Sequence, residues 1–356
     1  MRRLIAPASY VQGRDVLSNA DSFAALSADR ALLLGGETAL STAESDLRSG
    51  LEAAGIDVVA VERGVDTCTF DRIDELVERV ETARANLVVG VGGGVALDTA
   101  KAVSERSGTE LAIVATIAST DAPCSSVSVV YDADGGFDEY VHRRRNPELV
   151  LVDTAIVAEA PERFLRYGLG DAFATRFEAE TVAGSWNGTH AGGVPTDAAS
   201  TLARRSFRNV ADHGPAALAA VRRDAVTPAV ERIVETNTLL SGVGFESGGL
   251  AAAHAFGKGF SRVGAKAPHG LTIAFATIAQ LVLEDRDADV LEEALRVAGS
   301  VGIDNALSEL GIDADLEAVA TESCRDDTTM SNEPMDVTPS MAADALATAD
   351  ELLEEI

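Results

Sequence analysis

The sequence predicts an α/β N-terminal domain on a parallel, Rossmann-like sheet, followed by an all-α C-terminal domain. Three observations carry this. Strand-like apolar runs alternate with helix-period segments through the first half. Those runs are apolar enough for burial on both faces, as in parallel sheets covered by helices. After Pro161 the strand signals stop and helical periodicity takes over. The expected domains are residues 1–160 and 161–356.

The elements follow in order. "RALLLGG" (30–36) reads as a strand and "STAESDLRSGLEAAG" (41–55) as a helix. Strand "DVVAVER", helix "FDRIDELVERVETAR", strand "NLVVGV", helix "ALDTAKAVSERSG" and strand "ELAIVAT" continue the alternation. Between Val127 and Arg143, two alternating runs flank Asp134-Gly135-Gly136, which predicts a β-hairpin. "LVLVD" (149–153) is the last strand. The second half reads as helices over 161–184, 226–260, 268–283, 287–300 and 338–356.

Composition narrows the function classes. The net charge is −28, from 57 acidic and 29 basic residues. A nucleic-acid partner is not expected, because phosphate binding needs a cationic face. Lysine is scarce: Lys101, Lys258 and Lys266 are the complete set. The acids are spread through periodic apolar segments, so an acidic folded surface is expected, suited to a salt-rich cytoplasm. No segment is apolar for long enough to span a membrane, and "MRRLIAPASYVQGRD" has no signal-like apolar core. Cys68, Cys124 and Cys324 form no C-x-x-C, which fits a reducing compartment. A cytoplasmic location is expected.

"LVVGVGGGVALDTAK" (87–101) combines a strand, a glycine turn and a helix start. Such a turn lets a phosphate approach backbone, and the helix N-terminus supplies donors. Neither familiar phosphate loop is present. G-x-G-x-x-G fails at Val95, and no glycine in the block precedes a lysine. Gly93 and Gly94 are the candidate phosphate contacts, and Asp98 and Lys101, on one side of the following helix, are further candidate cofactor-binding residues. Glu37 follows the first strand. An acid there can accept from both ribose hydroxyls and repel a 2′-phosphate, favouring NAD over NADP, or it is a solvated turn residue. The stretch 115–131, rich in small hydroxyl residues, follows another strand end, where cofactors sit in open parallel sheets.

Histidines are few. His254 lies in "GGLAAAHAFG", and His269 follows Pro268, which places it in the first turn of a helix. Each is readable as a metal ligand or as a hydrogen-bonded core or cap residue, and Asp171 as a ligand or a helix N-cap. Their spacing fits no local metal motif. Arg143, Arg144 and Arg145 form a run that suits a solvated rim or a subunit contact better than a phosphate grip.

Taken together, "GVGGGVALDTAKAV", "TIASTDAPCSSVSVVY", "RNPELVLVDTAIVAEAPERFL", "GLGDAFATRFEAE", "NTLLSGVGFESGGLAAAHAF" and "SNEPMDVT" resemble, in order, the glycerol dehydrogenase branch of the iron-containing (group III) alcohol dehydrogenase superfamily. The resemblance implies a dehydroquinate synthase-like fold and reversible, NAD-dependent oxidation of glycerol or a related small vicinal diol. It implies one divalent metal, zinc before iron, and a cytoplasmic homo-oligomer. Position by position, Gly93 and Gly94 would meet the pyrophosphate and Glu37 the adenosine ribose. Thr116, Ser119, Ser125, Val127 and Tyr131 would line the cofactor site. Asp121 would contact a substrate hydroxyl, and Asp171, His254 and His269 would hold the metal. The sequence departs from the family in having Glu37 for the usual Asp, Gly257 three residues after His254, and a shorter segment before His269. Thr175 stands where the iron-dependent branch has a further His. The superfamily's glycerol-1-phosphate dehydrogenases and dehydroquinate synthase-like lyases are the alternatives. Both grip a phosphate, which the lysine-poor loops around Asp121 disfavour.

Overall fold

The computed structural model describes residues 1–132 and 136–355, so Asp134 and Gly135 of the expected hairpin turn lie outside the described residues. The chain divides into two compact units, Ala6–Leu165 with Ala219–Leu239, and Met1–Ile5 with Arg166–Leu218 and Leu240–Ile356.

The first unit holds strands β1 (Tyr10–Gly13), β2 (Arg30–Gly35), β3 (Asp57–Glu62), β4 (Leu87–Gly92), β5 (Glu110–Ala115), β6 (Val127–Tyr131), β7 (Phe137–His142) and β8 (Leu149–Asp153). Six form one parallel sheet in the order β1-β8-β5-β4-β2-β3, while β6 and β7 form an antiparallel pair from Val127↔His142 to Val130↔Glu139, with a one-residue shift before Tyr131↔Phe137. Helices α1 (Glu37–Ala53), α2 (Phe70–Ala83) and α3 (Gly94–Ser107) connect successive strands. The continuous apolar runs of β4 and β8 are buried along their whole length. One core cluster joins Leu33, Val89, Val91, Val114 and Leu151 of the sheet to Leu40, Leu47 and Leu51 of α1. The heptad-like spacing of those leucines is what seats α1 on the sheet.

The edge strand β1 carries no clear period in its four residues, yet it pairs parallel to β8 from Tyr10↔Val150 to Gly13↔Asp153. Helices α4 (Thr154–Glu159) and α7 (Pro228–Glu235) pack together in the same unit.

The second unit is helical: α5 (Glu162–Ser185), α6 (Asp197–Val221), α8 (Ser241–Gly248), α9 (Ala252–Arg262), α10 (His269–Leu283), α11 (Ala288–Val301), α12 (Leu316–Ser323) and α13 (Pro339–Glu354). Phe173 and Phe177 on α5 meet Phe207 on α6 with ring centroids 5.1–5.7 Å apart. Among the described residues no helix is long and apolar enough to cross a membrane.

The expected helical stretch 226–260 is interrupted. A π-turn (Thr236–Leu240) follows α7, and the chain breaks between α8 and α9 at Gly249, whose φ is +101°. A side chain is strained at that angle, and a methyl there would lie 2.6 Å from Val182. Periodicity continues through the break because every residue around it is buried.

Candidate functional site

In the helical unit, one ligand atom each from Asp171, His254 and His269 lies within 4.8 Å of the other two. Asp171 sits inside α5 rather than at a helix N-cap, and is completely buried. His254 lies in the first turn of α9 with 17% of its side chain exposed; His269 opens α10 and is 59% exposed. The His269 Nε2 atom is 3.7 Å from Asp171 Oδ1, and the two rings lie 5.6 Å apart.

Two glycines set this convergence. A methyl on Gly170 would lie 1.9 Å from the Gly270 carbonyl oxygen, and one on Gly270 would lie 1.8 Å from the Tyr167 carbonyl oxygen. Thus α5 and α10 touch backbone to backbone. The residues next to those glycines, Asp171 and His269, are thereby drawn to one place. No local sequence pattern announces a helix crossing of this kind.

The start of α9 is held by side chains from elsewhere. Its N-cap residue, Ala251, has no capping side chain of its own. Glu178 of α5 accepts from the Ala251 and His254 amides at Oε1 (2.8 and 3.0 Å) and meets His254 Nδ1 at Oε2 (2.7 Å). Glu333 Oε1 accepts from Ala252, and Gln280 Oε1 from Ala253, each at 2.9 Å. The four orphan N–H groups of the helix start are all satisfied, three of them by the acids Glu178 and Glu333 and one by Gln280. Burial, then Glu284 and Glu178 nearby, pushes the Glu333 carboxyl up to about 9. Glu178 follows Asp171 by two helical turns in "GDAFATRFEAE", and that spacing is the signal sequence reasoning passed over.

The donor set suits a divalent cation. Two imidazoles and one carboxylate are a three-ligand set that leaves positions for a substrate. The same set suits zinc and Fe(II) alike.

In the α/β unit, β4 ends in Gly92 at φ +147°, and Gly93 caps α3 in extended conformation. The Thr116 amide donates to the Gly92 carbonyl at 3.1 Å, tying the loop after β5 to the turn. Gly93, Gly94 and Ser119 are half-buried, whereas Thr116, Ser125 and Val127 are buried. Glu37 is the first residue of α1, not a strand-end residue, and lies 3.7 Å from Arg63 with 71% of its side chain exposed.

Lys101 is fully buried. Its ammonium lies against Asp98 (3.1 Å), the Ala122 and Val127 carbonyls (2.7 and 2.8 Å) and Ser125 Oγ (3.2 Å). Asp98 also accepts from the Val129 amide. This knot fastens the short turn Ala122–Cys124, and with it the buried Asp121 just before it, to α3. Burial, then Asp98, pushes the Tyr131 hydroxyl up to about 12. The Arg143–Arg145 run splits. Arg143 is a buried strut bonded to Glu148 and to carbonyls of Thr109, Arg145 and Asn146, not a rim residue. Arg144 and Arg145 pair with Glu105 and Glu148.

Comparison with known proteins follows the same lines. The iron-containing alcohol dehydrogenase family model matches residues 7–154. A glycolaldehyde reductase of Halobacterium salinarum is 43% identical over 353 residues, covering 98% of this chain and 96% of that one. A glycerol dehydrogenase of Escherichia coli is 41% identical over 358 residues, covering 99% and 97%. The crystal structure of a probable glycerol dehydrogenase from Sinorhizobium meliloti superposes with a TM-score of 0.93 at 35% identity, covering 100% of both chains. With its parallel sheet, helical second half and full-length relatives, the chain belongs to the iron-containing alcohol dehydrogenase family of oxidoreductases.

Proposed function

We propose that the protein catalyses reversible, NAD-dependent oxidation of glycerol to dihydroxyacetone, using one divalent cation held by Asp171, His254 and His269, with zinc before iron. The observation that carries the proposal is the convergence of a buried carboxylate and two imidazoles within 4.8 Å. When bound, the cation supplies Lewis acidity toward a substrate hydroxyl, and the nicotinamide supplies the hydride acceptor.

The chain's own residues divide the remaining work. The Gly93–Gly94 turn and the start of α3 offer amide donors to the cofactor pyrophosphate. Glu37 accepts from the adenosine ribose hydroxyls and repels a 2′-phosphate, which favours NAD over NADP. Thr116, Ser119, Ser125, Val127 and Tyr131 line the cofactor, while Asp98 and Lys101 act by fixing the loop that carries them. Asp121 accepts from a second substrate hydroxyl. An alcohol lacking that hydroxyl leaves the carboxylate poorly paired, which selects vicinal diols. The glycerol-1-phosphate dehydrogenase and lyase alternatives are not favoured, since full-length similarity runs to proteins named glycerol dehydrogenase. A homo-oligomer is part of the proposal and is measured by light scattering.

A second reading has its own support. The glycolaldehyde reductase relative favours reduction of a small hydroxyaldehyde at the same site. A panel of glycerol, ethane-1,2-diol, propane-1,2-diol, propan-2-ol, dihydroxyacetone and glycolaldehyde, with NAD(H) and NADP(H), separates the two. The proposal expects NADH formation with glycerol, lost on chelation and restored by zinc. Glycolaldehyde turnover without glycerol turnover selects the second reading. No NADH from any diol overturns the first. In Asp121→Ala, glycerol use is expected to fall more than propan-2-ol use, and equal losses would remove Asp121 from selectivity.

A further inference from the structure

The buried carboxylate behind His254 is assigned no part in the proposed reaction, yet its geometry is specific. Glu178 is fully buried on α5, and both of its oxygens are engaged. Oε1 takes two backbone donors, which come from the helix start that carries His254. Oε2 lies 2.7 Å from His254 Nδ1. A carboxylate oxygen accepts hydrogen bonds, and the contact suits an imidazole that donates at Nδ1. An imidazole with its proton on Nδ1 carries its lone pair on Nε2, the nitrogen that can then ligate a cation.

We infer that Glu178 is a positioning residue that selects the Nδ1–H tautomer of His254 and so makes Nε2 the metal-binding atom. The inference rests on the proposed Asp171–His254–His269 cation site. The arrangement acts on the ring and on its backbone at once. Oε1 fixes where the first turn of α9 sits, and Oε2 fixes how the ring is turned and which nitrogen carries the proton. Partners of this kind behind a ligating imidazole are worth about 10–100-fold in metal affinity. Asp171 and Glu178 lie two turns apart on one face of α5, so a single helix supplies both a ligand and the group that prepares another ligand.

Glu178→Gln is the sharpest test. The Ala251 and His254 amides both need an acceptor at the Oε1 position, so the new amide must place its oxygen there. Its NH2 then faces His254 Nδ1 and favours the opposite tautomer. Zinc affinity of the apoprotein, read by competition with a chromophoric chelator, is expected to fall about 10–100-fold. NAD affinity, read by fluorescence, is expected to stay unchanged and serves as the fold control. Nitrogen-15 NMR of histidine-labelled apoprotein, assigned with His254→Asn, is expected to show the His254 proton on Nδ1 in the wild type and on Nε2 in Glu178→Gln. Equal zinc affinity in the folded variant overturns the inference. If the variant does not fold, the wild-type spectrum decides, and a proton on Nε2 overturns it. Failure of the underlying site reads differently: wild type and Asp171→Asn would then hold zinc equally poorly, whatever the His254 tautomer.

Discussion

In the α/β unit, Gly92, Gly93, Gly94, Asp98 and Lys101 belong to one strand–turn–helix segment, and their relative placement follows from local backbone geometry. In the helical unit, Asp171, His254 and His269 come from three helices, and their placement depends on a backbone crossing at Gly170 and Gly270 and on the buried acids that cap α9. A contiguous site tolerates imperfect packing elsewhere, whereas a convergent site inherits every packing change in the helices that carry it.

The largest expected effect tests whether the two regions are functionally separable. Asp171→Asn removes the one anionic ligand, and kcat/KM is expected to drop by ~10³-fold or more, equivalent to about 4 kcal/mol. Zinc uptake should be lost with it, while NAD affinity stays at the wild-type value. A parallel loss of NAD affinity would show that the units fail together.

The next contrast pairs two glycine substitutions. Gly270→Ala forces a methyl against the Tyr167 carbonyl, and is expected to cost about 1–3 kcal/mol of stability, with weaker zinc binding. A methyl at Gly94 has room, its nearest neighbour being Thr120 Cγ2 at 3.6 Å. Gly94→Ala is therefore expected to leave Tm unchanged and to weaken NAD binding alone. Thermal unfolding and ligand titration of both variants check this. The comparison breaks if Gly270→Ala keeps wild-type Tm and zinc affinity.

A smaller effect comes from pH. The Glu333 carboxyl keeps its proton to about 9 in the folded chain, against an ordinary value of 4.5. The folded state thus binds more protons across that window. The contribution is fully present below the ordinary value and is lost as pH rises through the folded value. Tm is expected to fall from mildly acidic toward alkaline pH, and Glu333→Gln to flatten that fall. An identical slope in both proteins would remove Glu333 as its source.

Salt has the mildest predicted influence. With a net charge of −28, raising salt from 0.1 M to 1 M shortens the screening length from about 10 Å to about 3 Å and should raise Tm. Exposed pairs such as Arg106–Asp74 weaken at the same time and offset part of the gain. A Tm independent of salt would make the acidity a matter of composition alone.

Most of the sheet was legible in the sequence because buried parallel strands need continuous apolar runs, and β2, β4, β5 and β8 have them. Strand β1 was not legible: four half-buried residues carry no period, and only pairing with β8 makes them a strand. The interruption at Gly249 was hidden in the same way, since a break in a fully buried region leaves the apolar pattern unbroken. Asp98 and Lys101 could be seen as neighbours one turn apart, but periodicity cannot say which groups their polar atoms meet. Glu178 looked like one more acid among 57.

Local order came from the sequence: an apolar run fills a sheet, a glycine turn opens a helix, and repeated apolar positions seat α1. Those outcomes need only neighbours in the chain, so residue order is enough to encode them. Tertiary packing decided that Asp171, His254 and His269 meet, and that Glu178 faces the ring of His254. Both depend on how closely separate helices approach and on which buried donors lack partners, and these quantities exist only once the helices are packed.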